Sequence, residues 1–323
     1  MSSAAPQPSV GTSRVPLLDL SPLVAMDADE AARARAAEEI ARASQTWGVF
    51  LAAGHGVPDR LMDDVFGSAG RLFALPDEMK RRLASADRRP GLGRGFDADR
   101  GPGPDRPRFL EAYLLGPELS DEHPRRRAGD PLFHPNQWPD LPGWRLPVLG
   151  YLTAVARLAE LVIDAQARAL GLVEDLGLGE GDPLVSLSLE RHAPAGAGAA
   201  RTSVAPSGAW SFASVLAQDR AAGLEIEAPD GSWVPVPYEP GLLLISVGDL
   251  MSRWTNDVLR APKVRSRAPE RGDRIVLRVQ RSADPDTVVV ASPGCVGPDR
   301  PARYPPVTPG AVLLEGAGAP VPE

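Results

Sequence analysis

Apolar residues recur at helical spacing through the first half of the chain. From Glu30 to Gly48 one predicted helical face carries Ala32, Ala36, Ile40, Ala43 and Trp47. Intervals of three and four residues are typical of an amphipathic helix, and Gly48 is a suitable C-terminal stop. Further helices are predicted after Pro58 and Pro76, since proline fits a first helical turn. A longer helix is predicted from about Leu146 to Leu170, with apolar residues at helical spacing along its length.

The pattern changes to a period of two from Leu184 onward. Val185, Leu187 and Leu189 are predicted on one face of a strand, and Ser186, Ser188, Glu190 and His192 on the other. Strands follow in LEIEA and WVPVP, joined by a hairpin at Asp230-Gly231, and in GLLLISV, RIVLRVQ and TVVVA. Antiparallel strands after a helical layer predict an α+β fold, a double-stranded β-helix (jelly roll) with an N-terminal helical layer.

The same patterns predict how the chain is divided. We expect a disordered leader at 1–13, a helical region at 14–125, a jelly-roll core at 126–305 and a flexible tail at 306–323. Within the helical region, residues 87–108 are dense in Gly, Pro, Arg and Asp, which predicts an irregular loop.

Composition removes several classes of function. The net charge is −7 over 323 residues with both signs intermixed, which disfavours nucleic acid as a partner. Cys295 is the only cysteine, so an internal disulfide or a thiolate metal cluster is excluded. No apolar run approaches the length of a membrane span, and the first residues lack a signal-peptide pattern. We therefore expect a cytoplasmic protein without a membrane partner.

Residues 203–266 carry a resemblance to a known family. The phrases FASVLAQD, GLEIEAPDGSWVPVP and GLLLISVGDLMSRWTN occur in the order and at the spacing of the isopenicillin N synthase-like family of iron(II)/2-oxoglutarate oxygenases. The resemblance extends from about Val15 to Pro301. It implies the jelly-roll fold and a cavity inside the barrel.

The resemblance also implies where iron ligands should lie. The family holds iron with a His-x-Asp pair and a later His, a facial triad. Counting from Asp219 places Ser207 and Ala209 at the first two positions, and Val264 stands at the third. Because none of these side chains is a plausible iron ligand, we expect the metal site to be lost and no cofactor to be bound.

The residues expected in the cavity are also altered. Arg274 matches the Arg of the family's Arg-x-Ser pair for 2-oxoglutarate, but Val276 replaces the Ser. Period two places Arg278 on the same face as Arg274. Glu190 and His192 are predicted as catalytic residues. The residues predicted to bind substrate are Arg274, Arg278, Trp210 and Ser188.

Several functions remain open at this point. We favour a metal-independent enzyme of specialised metabolism that catalyses a non-oxidative cyclisation, isomerisation or elimination of a small molecule. The alternatives are a non-catalytic binding or scaffold protein and an oxygenase with an atypical iron site, for which Glu190 and His192 would be the ligands. A structural salt bridge between Glu190 and Arg274 or Arg278 is the simplest alternative to a catalytic role.

Overall fold

A computed structural model describes residues 14–85, 89, 92–97, 110–172, 181–194, 202–204 and 210–318. The predicted leader at 1–13 lies outside the described residues, as do Ser207 and Ala209.

Eight α-helices lie in the described parts of the chain. They are α1 (Ser21–Val24), α2 (Glu30–Thr46), α3 (Asp59–Phe73), α4 (Asp77–Arg82), α5 (Pro124–Arg127), α6 (Arg145–Ala169), α7 (Asp249–Trp254) and α8 (Pro309–Gly316). The side chain of Asp29 caps the start of α2 by accepting a hydrogen bond from the backbone N–H of Ala32. Gly48, just beyond α2, has a φ of +72°, and a Cβ there would lie 2.1 Å from the carbonyl oxygen of Arg260. The predicted stop at this glycine is therefore confirmed.

Two sheets contain the described strands. These are β1 (Leu17–Asp19), β2 (Val49–Ala53), β3 (Gly95–Asp97), β4 (Leu110–Leu115), β5 (Val185–His192), β6 (Thr202–Val204), β7 (Ala213–Gln218), β8 (Leu224–Glu227), β9 (Trp233–Pro235), β10 (Leu243–Val247), β11 (Val264–Arg267) and β12 (Arg274–Arg281). The larger sheet has the order β1-β2-β10-β7-β12-β5-β4-β3, and the smaller has the order β6-β11-β8-β9. Apart from the parallel pair β1–β2, the paired strands within the sheets are antiparallel.

The larger sheet separates two apolar layers. Alternate residues of its strands, such as Leu187 and Leu277, pack with α2, α3 and α6 in the main core. Residues of the opposite parity, such as Leu216 and Val276, pack with Ile226 and Val264 of the smaller sheet. The space between the two sheets is therefore the interior of the barrel, and the predicted α+β jelly roll with a helical layer is confirmed.

Several local expectations are corrected. Strand β3 falls inside the segment that was expected to be an irregular loop. The TVVVA segment forms only an isolated bridge between Val289 and Val307 instead of a strand. The expected tail contains α8, whose N-terminus is capped by Thr308. Strands β1 to β4 of the expected helical region join the larger sheet, so the boundary at 125/126 does not separate the sheet from the helices.

Helix α6 is long and apolar enough to cross a membrane by length and composition alone. The core helix of a globular protein meets the same criterion. Its side chains Val155, Val162 and Ile163 are buried in the main core, and the helix contacts α2, α3 and β12. These contacts are those of a core helix, as its spacing predicted.

Candidate functional site

Strands β5 and β12 carry most of the predicted site residues. They pair antiparallel with Arg274 opposite His192, Val276 opposite Glu190 and Arg278 opposite Ser188. Because side chains alternate along a strand, these residues share the face that points into the barrel. The predicted common face is therefore present, and the register determines which side chains meet.

Glu190 and Arg278 form a buried ion pair. Nε of Arg278 donates a hydrogen bond of 3.2 Å to Oε1 of Glu190, with the two side chains 10% and 8% exposed. The two residues are not directly opposite each other but are diagonal neighbours on the paired strands β5 and β12. The structural salt bridge considered from the sequence thus forms with Arg278 and not with Arg274.

His192 lies next to the second carboxylate oxygen of Glu190. Its Nε2 lies 3.6 Å from Oε2 of Glu190 and 3.5 Å from the hydroxyl of Ser266. Burial lowers the pKa of His192 below its ordinary value, although the hydrogen bond with Glu190 opposes this. The imidazole is therefore neutral at pH 7, and it can accept a proton through Nε2 or donate one to the carboxylate.

Arg274 is fully buried at the far end of the same face. Its Nη1 donates hydrogen bonds of 2.8 Å to the carbonyl oxygens of Ala222 and Arg267, and its Nη2 donates one of 2.5 Å to Ser266. Burial lowers the pKa of Arg274 to about 10, despite the nearby charges of Asp219 and Glu190. The guanidinium stays charged at neutral pH and ties together the ends of several strands.

A row of small polar side chains lies beside Arg278 on the barrel face. Ser186 pairs with Gln280, Gln280 with Ser214, and Ser214 with Ser246, across β5, β12, β7 and β10. Ser214 and Ser246 are each only 5% exposed. Four polar positions in register on one inner wall are unusual for a packed core, and they form a hydrogen-bonding surface next to the ion pair.

Another part of the interior is apolar. Val264 and Val276 are buried there with Leu216, Leu224 and Ile226. Val276 extends this packing to the residue opposite Glu190. Apolar side chains, those of Val264 and Val276, thus occupy the two described positions at which the family resemblance would place a His and a Ser.

The other two predicted residues, Ser188 and Trp210, lie in different surroundings. Ser188 lies opposite Arg278 on the paired strand and is buried beside the cluster. Trp210 packs instead against a third apolar cluster that includes Leu132, Phe133 and Leu313. The structure therefore joins Glu190, His192, Arg278 and Ser188 in one group and gives Trp210 other contacts.

Sequence reasoning missed two features of this site. Ser266, which bridges Arg274 and His192, was not predicted, although its alternation with Val264 indicates an inward position. Ser214 and Ser246 were missed because each is the only serine in a largely apolar strand. Their alternation with Leu216 and Leu244 places them on the same face of each strand as these leucines. Only the strand register shows that they align with Gln280 across the sheet.

Comparison with known proteins identifies the family of the chain. Residues 15–141 match the family model of the N-terminal region of non-haem dioxygenases in morphine synthesis, and residues 197–282 match the 2OG-Fe(II) oxygenase superfamily. The chain is 31% identical to isopenicillin N synthase of Streptomyces clavuligerus, with 79% of this chain and 80% of that protein covered. It is 29% identical to the 2-oxoglutarate-Fe(II) type oxidoreductase hxnY of Emericella nidulans, with 91% and 86% covered.

Solved structures show the same fold. A crystal structure of a full-length Neurospora crassa protein in complex with alpha-KG superposes with a TM-score of 0.79 at 22% identity, covering 94% of this chain and 96% of that one. The dioxygenase for auxin oxidation of rice superposes with a TM-score of 0.73 at 25% identity, covering 95% and 96%.

The chain belongs to the 2OG-Fe(II) oxygenase superfamily, and its relatives include isopenicillin N synthases. This is a family of oxidoreductases in secondary metabolism.

This membership contradicts the expectation that the chain binds no cofactor. The names of the superfamily and of the relative hxnY both include 2-oxoglutarate and Fe(II). The Neurospora structure is a complex with alpha-KG. These findings point to iron and 2-oxoglutarate as the cofactors. The expectation rested on the three iron-ligand positions, of which the structure describes only Val264, and on Val276 in place of the family's Ser.

The described residues fit the two cofactors differently. Within the described ranges, no group of three or more His, Cys, Asp or Glu side chains is arranged to hold a metal ion, and Val264 offers no ligand atom. These residues do not fit iron. A carboxylate, by contrast, is a suitable partner for the buried guanidinium of Arg278, so the interior fits the acidic groups of 2-oxoglutarate.

Proposed function

We propose that the chain is an enzyme of secondary metabolism that converts a small molecule inside the barrel, with Glu190 and His192 holding or moving a proton. The supporting observation is the buried contact between their side chains, 3.6 Å from Nε2 to Oε2. A neutral imidazole beside a carboxylate can act as a base at neutral pH, and a proton can pass between the two groups.

Arg278 and Ser188 are proposed to bind the substrate. They lie opposite each other on β12 and β5, next to Glu190. A guanidinium and a hydroxyl on adjacent strands can fix a polar group at a defined distance from the proposed base, which is how positioning accelerates a reaction. Trp210 is partly buried against the apolar cluster that includes Leu132 and Leu313, and it is proposed to border the site.

Two reaction classes are compatible with these roles. A non-oxidative cyclisation, isomerisation or elimination needs an acid/base pair and a group that stabilises developing negative charge, and Glu190, His192 and Arg278 supply both. An oxidation that uses iron and 2-oxoglutarate is favoured by the descriptions of the relatives. Iron would then need ligands other than Val264, and Glu190 and His192 are two donors within the interior.

Turnover assays on carboxylic and polar small molecules test the proposal. Product masses distinguish the classes, because an isomerisation or cyclisation can leave the mass unchanged whereas oxygenation adds oxygen. Glu190→Gln and His192→Phe should each lower turnover by roughly 10²–10⁴-fold. Glu225→Gln is the matched control, since Glu225 pairs with Arg265 on the outer face of the smaller sheet.

Loss of turnover without oxygen or in the presence of a chelator would assign the oxidative class, and retention would assign the non-oxidative class. Unchanged turnover in folded Glu190→Gln and His192→Phe variants would contradict the proposed roles. Binding of a small molecule without any turnover would favour a binding protein instead.

A further inference from the structure

We infer that Arg278, and not Arg274, is the residue that binds a carboxylate group of the ligand inside the barrel. The inference rests on the proposed function in one respect, namely that a small molecule enters the space between the two sheets. It assigns separate tasks to two arginines that lie on the same face of the same strand.

The two guanidinium groups differ in how many donors they have already used. An arginine has five N–H donors. Arg274 directs three of them to Ala222, Arg267 and Ser266. Arg278 directs only its Nε–H to Glu190, and across the described ranges its Nη1 and Nη2 make no hydrogen bond or ion pair. Two adjacent terminal nitrogens with four free N–H groups match the two oxygens of a carboxylate.

The charge of the cluster points to the same ligand. The charges near Arg274 include the carboxylate of Asp219 as well as that of Glu190. Among the described residues, the carboxylate partner of Arg278 is Glu190, and the other oxygen of Glu190 lies 3.6 Å from the neutral imidazole of His192. A buried guanidinium is stabilised by direct contact with anions. A carboxylate at the terminal nitrogens of Arg278 would supply such a contact.

The surroundings of Arg278 suit a polar ligand, whereas those of Arg274 do not. Ser188 lies opposite Arg278 on β5, and Gln280 and Ser214 belong to the next register row of the same wall. Between Arg274 and Arg278 lies Val276, which is part of the apolar cluster. The two arginines are four residues apart along an extended strand, so their Cα atoms are separated by roughly 13 Å. Together with the hydrogen bonds that already hold Arg274 at Ala222, Arg267 and Ser266, this separation favours binding of one carboxylate by Arg278 alone.

Arg274 is held in place by its close neighbours. Gly223 has a φ of +116°, and a Cβ there would lie 2.0 Å from Nη1 of Arg274. The backbone of β8 and β11 therefore closes tightly over this guanidinium. Its role is structural, since it joins the turn before β8, the end of β11 and the start of β12.

Titration calorimetry on the full chain tests the assignment with three probes. The probes are 2-oxoglutarate, benzoate as a monocarboxylate, and benzamide as the neutral counterpart of benzoate. We expect at least one carboxylate to bind and benzamide not to bind. Arg278→Met should weaken that binding by about 10- to 100-fold, the loss typical of a charge-assisted hydrogen bond. Arg278→Lys, which keeps the charge but not the fork of donors, should give a smaller loss.

Two further variants make the result decisive. Arg274→Met should lower the melting temperature but weaken carboxylate binding far less than Arg278→Met does. Arg265→Met is the matched control, because Arg265 lies on the outer face of β11 over the ring of Trp233. Since Arg278→Met removes the hydrogen bond from Arg278 to the buried carboxylate of Glu190, the double variant Arg278→Met/Glu190→Gln provides a second test if the single variant does not fold.

The outcomes separate the possible sources of the carboxylate. Loss of 2-oxoglutarate binding in Arg278→Met would support the inference with the cosubstrate as ligand, and loss of benzoate binding alone would support it with a substrate acid. A wild-type protein that binds neither carboxylate would overturn it, as would a loss that follows Arg274→Met instead. Binding at Arg278 without turnover would contradict the proposed function but not the inference. Turnover that is insensitive to Arg278→Met would contradict the inference and the substrate-binding role of Arg278, but not the proton roles of Glu190 and His192.

Discussion

Oε1 of Glu190 accepts a hydrogen bond of 3.2 Å from Nε of Arg278, although the strand register places Val276 and not Arg278 directly opposite Glu190. The contact is diagonal, as is common for long side chains on paired strands. It brings the carboxylate of Glu190 to the arginine that has most of its N–H donors unused.

The first prediction concerns the contribution of this pair to the free energy of unfolding of the protein. Glu190→Gln and Arg278→Met should each destabilise the protein by about 3–5 kcal/mol, because either change removes the ion pair between two buried charges. The double variant should recover part of the loss, giving a coupling energy well above about 0.5 kcal/mol. Urea unfolding of the wild type, the two single variants and the double variant measures this. Additive effects would show that the two side chains do not interact directly.

The second prediction concerns the tight approach of Gly223 to Arg274. Gly223→Ala should destabilise the protein by more than the roughly 1–2 kcal/mol expected for a positive φ alone, since its Cβ would meet Nη1 of Arg274. Gly231→Ala is the control, because Gly231 has a φ of +81° and a Cβ added there would have nothing within 4 Å. Equal losses in the two variants, compared by thermal melts, would mean that Arg274 is free to move away.

The third prediction follows from the lowered pKa of His192. The unfolded chain binds a proton at this residue near the ordinary pKa of 6.5, whereas the folded protein binds it only at lower pH. Between these two pKa values the unfolded state holds more protons, so the free energy of unfolding falls as the pH falls through about 6.5, by at most about 1.4 kcal/mol per pH unit.

Burial also lowers the pKa of His55. Comparison of the wild type with His192→Gln separates the pH dependence due to His192 from that due to His55. The stability advantage of the wild type over His192→Gln should be largest above about pH 7 and should shrink toward about pH 5. Urea unfolding at several pH values measures the difference. An advantage that stays constant over this range would show that His192 has the same pKa in both states.

The fourth prediction concerns Arg125, which joins distant parts of the chain. Its guanidinium contacts Asp130, Asp182 and Asp284 at 2.9–3.1 Å, and Asp286 at 2.9 Å. Arg125→Met should lower the free energy of unfolding by about 2–3 kcal/mol, because several half-buried carboxylates would then repel one another. Arg127→Met, on the exposed side of the same helix, should change it little. Similar melting temperatures for both variants would contradict a stabilising role of this cluster.

Much of the fold could be predicted because its signals are local. The helix predicted from about Leu146 to Leu170 is observed at Arg145–Ala169, and the alternation in β5 assigned the inner and outer faces correctly. The order of strands in the larger sheet could not be predicted from periodicity, since it depends on contacts between distant segments. Helix α8 was missed because a segment rich in Gly and Pro has weak helical preference, and its start depends on the cap at Thr308.

The site shows the same division. Period two correctly placed Glu190, His192, Arg274 and Arg278 on one face, but it could not show which arginine reaches Glu190. That choice depends on side-chain direction and on Ser266, which occupies Nη2 of Arg274. The cofactor expectation was wrong because it was drawn from a few single positions, Val276 among them, whereas the family membership is carried by most of the chain.

A crystal structure of the protein with 2-oxoglutarate tests the central claim most directly. We predict a carboxylate of the ligand about 3 Å from Nη1 and Nη2 of Arg278, with Glu190 still bound to Nε and Arg274 still bound to Ala222 and Arg267. A carboxylate bound to Arg274 and Ser266, or a ligand bound outside the barrel with the guanidinium of Arg278 unchanged, would contradict the account.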